Sequence, residues 1–161
     1  MRRILLFGVA GLAVLISGVG YSRSEPKVSD EGIRRLRAEF PGMIEKCIAL
    51  LRYEGVEAVP RETDQCFQMM PPQRWKGLWR NDFEGQRFCP SPSTECSPNP
   101  SEDYIWLTFA GDPPPKEAEM GRIYRVEFTG RRTLREGHYG HGGLAQHEII
   151  VDHLISIAPA D

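Results

Sequence analysis

The amino-acid sequence predicts an α+β domain, in which an N-terminal helical region is followed by a small antiparallel sheet or a partly open barrel. Two observations support this order. Apolar residues recur at steps of three and four between Ile33 and Leu51, as on one face of a helix, whereas strand-like runs dominate after Pro72. Helices first and strands afterwards is the order of an α+β fold, and not of alternating βαβ units.

The first 22 residues have the pattern of a signal peptide. Arg2 and Arg3 precede the uncharged stretch 4–22, and small residues near the end of this stretch predict cleavage there. The alternative is an uncleaved N-terminal membrane anchor, because the stretch is close to the roughly 20 residues that span a bilayer. Under both interpretations, residues 23–161 form a single disulfide-bonded α+β domain outside the cytoplasm.

The four cysteines predict two disulfide bonds, and therefore a periplasmic or secreted protein. Of the three possible pairings, the sequence favours Cys89 with Cys96 and Cys47 with Cys66. The reason is that Cys89 and Cys96 flank a short Pro-rich segment whose ends a local bridge would join. A redox or metal role for the thiols is disfavoured, because no C-x-x-C motif occurs and no histidine lies near a cysteine.

Two helices are predicted in the N-terminal region. Ser29 or Asp30 would cap the first, Pro41-Gly42 would separate the two, and Gly55 would end the second. The second helix is expected to begin near Pro41, because proline is tolerated in the first turn of a helix. A short helical turn that carries Cys66 is expected next.

Five strands are predicted in the rest of the chain. They are expected in the segments 75–80, 83–89, 104–109, 121–129 and 147–157. The loops between them are rich in proline and glycine, as surface turns are. Five short strands suit a small twisted sheet or a partly open barrel.

The end of the chain also resembles a known group of proteins. It reads Val126-Glu-Phe-Thr-Gly-Arg-Arg, then Gly137-His-Tyr-Gly-His-Gly-Gly, then Glu148-Ile-Ile-Val-Asp. This strand–loop–strand run resembles the end of small OB-like domains in uncharacterised exported bacterial proteins. The resemblance covers about the last forty residues. It implies an OB-like fold and assigns no catalytic residue.

The four histidines of the chain, His138, His141, His147 and His153, lie close together in sequence. Imidazole binds zinc and copper well, and the first three could converge on one ion, whereas His153 lies too far along a straight strand. The alternative is that His138 and His141 shape a glycine-rich loop and the other two are half-buried sheet residues. Because the spacing matches no strong zinc signature, no cofactor is expected, with zinc or copper as the alternative.

Arg131, Arg132 and Arg135 belong to a basic run along a strand and the loop that follows it. On an exported protein, such a run suggests an unknown envelope protein or an acidic envelope polymer as the partner. Nucleic acid is not expected, since the chain has a formal net charge of −2. Membrane contact is expected only if the N-terminal segment is uncleaved, and a merely solvated hairpin is the alternative to any binding role.

Together these features predict an exported, non-catalytic binding or interaction module of unknown ligand. No catalytic residue is assigned, because no G-x-S-x-G motif occurs and the spacing of carboxylates in sequence fixes no distance in space. One alternative is a metal-binding protein or metal-dependent hydrolase built on the histidine cluster. Another is an inhibitor or immunity-type protein that acts on an envelope enzyme.

Overall fold

The computed structural model describes residues 25–97, 104–110 and 118–160. The predicted N-terminal segment, residues 1–22, lies outside these ranges. None of the helices within them has the length and apolar composition needed to cross a bilayer.

The helical region contains three helices: α1 (Asp30–Glu39), α2 (Glu45–Glu54) and the short α3 (Thr63–Cys66). The hydroxyl of Ser29 caps α1 by accepting a hydrogen bond from the backbone N–H of Gly32 at 3.2 Å. Gly55 ends α2 with a φ of 92°, a conformation that favours glycine. The predicted cap and stop are therefore confirmed.

The predicted start of the second helix near Pro41 is wrong. Met43 forms an isolated β-bridge with Phe67, and the N–H of Ile44 donates to the carbonyl of Cys66 at 2.8 Å. These bonds hold the backbone before Glu45 in an extended conformation, so the helix begins only at Glu45. The tertiary pairing outweighs the local preference of proline for a first helical turn.

The β region is a closed five-stranded barrel of OB-like form. Its strands are β1 (Gln73–Asn81), β2 (Arg87–Pro90), β3 (Ile105–Phe109), β4 (Arg122–Arg132) and β5 (His147–Pro159), in the order β1-β2-β3-β5-β4, with β4 returning to β1. All five predicted strands are present.

Two details of the predicted sheet are corrected. The barrel is closed and not partly open, because the long strand β4 pairs with both β1 and β5. Two register shifts in the β4–β5 pairing skip Asp152 and Ile155 of β5, and such bulges bend the strand that carries them. The sheet is also not wholly antiparallel, since β3 and β5 run parallel. This parallel pair forms the barrel wall that faces the helical region.

The barrel interior is filled by large apolar side chains. Trp79, Phe88, Leu107, Phe128 and Ile149 are fully buried there. Because side chains alternate between the two faces of a strand, the residues between them on β3 and β5 point outward. The outer face of this strand pair is therefore available to build a site.

Both predicted cysteine pairs lie at disulfide distance. The S–S distance is 2.07 Å for Cys47–Cys66, which joins α2 to α3, and 2.01 Å for Cys89–Cys96, which closes the loop after β2. Two such bridges indicate an oxidising environment outside the cytoplasm.

Backbone pairing docks the helical region on the barrel. The N–H of Met70 donates to the carbonyl of Arg132, and the N–H of Leu134 donates to the carbonyl of Gln68, both at 2.7 Å. Met69 and Thr133 form a β-bridge between them. This short ladder brings the segment 61–65 against the outer face of β3 and β5.

Candidate functional site

A pocket lies between the segment 61–65 and the outer face of β3 and β5. Its volume is about 600 Å³, which is within the range of small-ligand sites. In the parallel register Thr108 lies opposite Ile150, and both side chains line the pocket together with Glu148. The pocket therefore takes its walls from both layers of the fold.

Glu148 is the chemically distinctive residue of this pocket. Only 6% of its surface is exposed. One carboxylate oxygen accepts a hydrogen bond from the hydroxyl of Thr108, and the other accepts one from the hydroxyl of Thr63, both at 2.6 Å. No lysine, arginine or histidine in the described ranges forms an ion pair with it. Burying a carboxylate without a cation is costly, so its negative charge is only partly compensated by the two hydroxyls.

Arg131, which contacts the pocket residue Asp64, pairs with carboxylates other than Glu148. A terminal nitrogen of Arg131 lies 2.8 Å from Asp152 and 3.2 Å from Asp64. Hydrogen bonding to Asp152 raises the pKa of Arg131, and its contacts with Asp64 add to this against the opposing effect of burial. Arg131 therefore stays charged but is neutralised by these two neighbours.

The surroundings of Glu148 are net acidic. Among the described residues that line the pocket, three carboxylates, those of Glu62, Asp64 and Glu148, outnumber one guanidinium group, that of Arg61. Arg131 beside it is paired with Asp64 and Asp152. Phe109 and Ile150 add apolar surface to the same walls. The pocket thus combines a negative charge at its base with apolar flanks.

The loop between β4 and β5 contributes a further wall. Tyr139 is buried, donates its hydroxyl to the carbonyl of Arg135 at 3.0 Å, and packs edge-on against Phe67 with ring centroids 5.1 Å apart. Burial raises the pKa of Tyr139, a hydrogen bond with Thr133 opposes this rise, and the charge of Glu148 adds to it. The contacts of Tyr139 with Arg135 and Phe67 fix its position and place the next residue, Gly140, at the wall of the pocket.

The histidines singled out from the sequence have separate partners. His138 Nδ1 lies 3.2 Å from the carbonyl oxygen of Gly143, and His141 Nε2 lies 3.3 Å from Glu84. His147 Nδ1 lies 3.1 Å from the hydroxyl of Thr133. His153 is exposed on β5.

Within the described ranges, no three histidine, cysteine, aspartate or glutamate residues are grouped so that they could hold a metal ion. Zinc or copper at His138, His141 and His147 therefore stays a prediction from sequence alone.

The three arginines of the basic run are divided by the structure. Arg131 turns toward Asp64 and Asp152, beside the acidic pocket. Arg132 and Arg135 instead line a depression elsewhere on the surface, together with His147. A ligand surface formed by Arg131, Arg132 and Arg135 stays a prediction from sequence.

Sequence reasoning did not single out Glu148 as a site residue. A usable signal was present, because Glu148 is a carboxylate at the start of an otherwise apolar strand, and glutamate is rarely buried without a partner.

Comparison of the chain with protein-family models, curated proteins and solved structures finds no match.

Proposed function

We propose that this protein is an exported, non-catalytic binding module whose ligand inserts a cationic group into the pocket at Glu148. One observation carries the proposal. The buried carboxylate lines an open pocket, and the side chains of the described residues that hydrogen-bond to it are two neutral hydroxyls.

The hydrogen-bonding capacity of Glu148 supports a ligand of this kind. An ionised carboxylate has about four acceptor positions, of which Thr63 and Thr108 use two. An ammonium or guanidinium group could donate to the others in charge-assisted bonds, which are stronger than neutral ones. Phe109 and Ile150 would contact the apolar stem of such a ligand.

The arrangement favours binding over catalysis. General acid–base and nucleophilic mechanisms depend on a second reactive group placed beside the first. The side chains bonded to Glu148 are threonine hydroxyls that lock the carboxylate in place. We therefore assign Glu148 a role in recognising charge.

The pocket differs from the surface that OB-fold proteins most often use, which is the face of strands 2 and 3. Here Arg87 stacks over Tyr104 with its guanidinium carbon 4.4 Å from the ring centroid, and it also donates to the carbonyl of Ser97. Arg87 and Tyr104 are buried. Because the chain's own side chains occupy this face, the open pocket beside β3 and β5 is the better ligand site.

We also propose that the protein is exported from the cytoplasm. The signal-like segment 1–22 and the two disulfides support a periplasmic or secreted location, with an inner-membrane anchor as the alternative if the segment is not cleaved. N-terminal sequencing of the protein from the periplasmic fraction tests cleavage. A protein that keeps Met1 in the membrane fraction would support the anchor.

Calorimetric titration with three molecules of similar size tests the pocket. At fixed ionic strength we expect n-butylammonium to bind, n-butanol to bind much more weakly, and butyrate not to bind. Glu148→Gln, which keeps the hydrogen-bonding shape and removes the charge, should weaken n-butylammonium binding by about tenfold or more. Ala110→Trp, at the exposed rim of the pocket, should block binding without touching the carboxylate.

Glu127→Gln is the matched control, since Glu127 lies on β4 and pairs with Arg74 and Lys76. It should leave the titration unchanged. Equal binding of n-butylammonium and n-butanol, or equal effects of Glu127→Gln and Glu148→Gln, would reject the proposed role of the charge.

A further inference from the structure

We propose a second binding site, at one end of the barrel, where Arg132, Arg135 and His147 hold an oxyanion such as a phosphate or carboxylate group. This site is separate from the pocket at Glu148 and has the opposite charge. It therefore goes beyond the proposed function and does not depend on it.

The strand register brings two of these residues together. Arg132 lies opposite Ile149 in the β4–β5 pair, so both side chains are on the same face, and Ile149 belongs to the barrel core. His147 precedes Ile149 by two residues on the same strand and shares that face. Arg132, the last residue of β4, and His147, the first of β5, thus lie at one end of the barrel, beside Ile149 and Ile105 of the core.

These residues line a depression of about 640 Å³. Arg135, from the loop after β4, and Pro41 and Leu134 complete most of its wall, and Glu136 is the carboxylate that also lines it. The depression is large enough for a phosphate group or a single acidic sugar. Among the described residues that line it, the two guanidinium groups outnumber the one carboxylate, so their charges favour an anion.

Arg132 and Arg135 differ from most other arginines of the described residues in their ion pairing. Among the described residues no carboxylate forms an ion pair with Arg132 or Arg135, whereas Arg131 beside them contacts two. In addition, the Nε of Arg132 is buried and has no hydrogen-bond partner within those ranges. An unsatisfied buried donor is uncommon in folded proteins, and a bound oxyanion on the same guanidinium would offset part of its cost.

The ligand class follows from the geometry of arginine. Its planar guanidinium presents paired N–H donors that match the oxygens of phosphate and carboxylate groups. Two such groups at one depression suit an oxyanion better than a halide or a neutral sugar. The chemistry shared by phosphate and carboxylate is what the site recognises, and the two are separated by experiment.

Titrations followed by NMR on the ¹⁵N-labelled protein test the site. Inorganic phosphate and glucuronate are added separately, with chloride lowered to keep ionic strength constant, because simple screening would otherwise shift many signals. We expect saturable shifts of the amides of residues 132–136 and of His147 with at least one of the two. The stronger ligand identifies whether phosphate or carboxylate is preferred.

Variants with opposite expected effects make the test specific. Arg135→Gln changes an exposed side chain and should weaken binding about tenfold, whereas Glu136→Gln should strengthen it severalfold because it removes the opposing charge. Arg125→Gln is the control, since Arg125 is exposed on the outer face of β4 and lines other depressions. Shifts that do not saturate with either anion would overturn the proposal. So would an equal loss in Arg125→Gln and Arg135→Gln, or weaker binding in Glu136→Gln.

Discussion

Replacing Gly140 by alanine should destabilise this protein far more than the same replacement at Gly142, two residues later in the same loop. Both glycines have a positive φ, of 68° at Gly140 and 66° at Gly142. They differ in ψ, which is −166° at Gly140 and 6° at Gly142. Gly140 thus lies in a region that only glycine occupies readily, whereas Gly142 is close to the left-handed helical region.

The surroundings of the two residues widen the difference. A Cβ at position 140 would lie 2.5 Å from the Cδ2 atom of Trp106, whereas the nearest atom to a Cβ at position 142 is the Cγ of Leu144 at 3.9 Å. Backbone strain costs about 1–3 kcal/mol and overpacking about 1–3 kcal/mol, so Gly140→Ala should lose about 2–6 kcal/mol. Gly142→Ala should lose about 1–2 kcal/mol.

Urea unfolding of the oxidised protein, followed by tryptophan fluorescence, measures both losses. Trp106→Leu supplies the matched background, because a smaller side chain relieves the clash and leaves the backbone strain. In that background Gly140→Ala should cost less by about 1–3 kcal/mol, which a double-mutant cycle resolves. A loss at Gly140 no larger than the loss at Gly142, or an unchanged loss at Gly140 in the Trp106→Leu background, would refute the reasoning.

Three further predictions concern stability. Replacing both cysteines of the Cys47–Cys66 bridge by alanine should lower the melting temperature in calorimetry more than the same replacement at the Cys89–Cys96 bridge. The sequence separations are 19 and 7, and closing the longer loop restrains the unfolded chain more. Equal losses of melting temperature would contradict this. Thr63→Val should lower the free energy of unfolding in urea by about 1.5–3 kcal/mol, because it removes a hydroxyl that donates to the buried carboxylate of Glu148. An unchanged midpoint would mean that this hydrogen bond contributes nothing to stability. The raised pKa of Tyr139 favours the folded state below the ordinary tyrosine value of about 10, and this contribution is lost as pH rises through the raised value. Tyr139→Phe should therefore flatten the decline of stability above about pH 10 in urea unfolding.

The sequence predicted local structure well where local chemistry decides it. The cap at Ser29 and the stop at Gly55 need only neighbouring residues, and both are present. The start of α2 was misplaced because a residue distant in sequence, Phe67, pairs with Met43 and keeps the chain extended. Closure of the barrel likewise depends on β4 meeting both β1 and β5, which no periodicity within one strand reveals.

The candidate sites depend even more on contacts between residues that are distant in sequence. Thr63 and Thr108 lie 85 and 40 residues from Glu148. They meet it because β3 and β5 are parallel and because the segment 68–70 pairs with residues 132–134 at the end of β4. The arginines of the basic run have different surroundings for a related reason, since neighbouring residues of a strand face opposite sides. Arg131 therefore joins the acidic pocket and Arg132 the barrel end. Charge read along the chain identifies which residues need partners, and only the strand register decides which of them share a site.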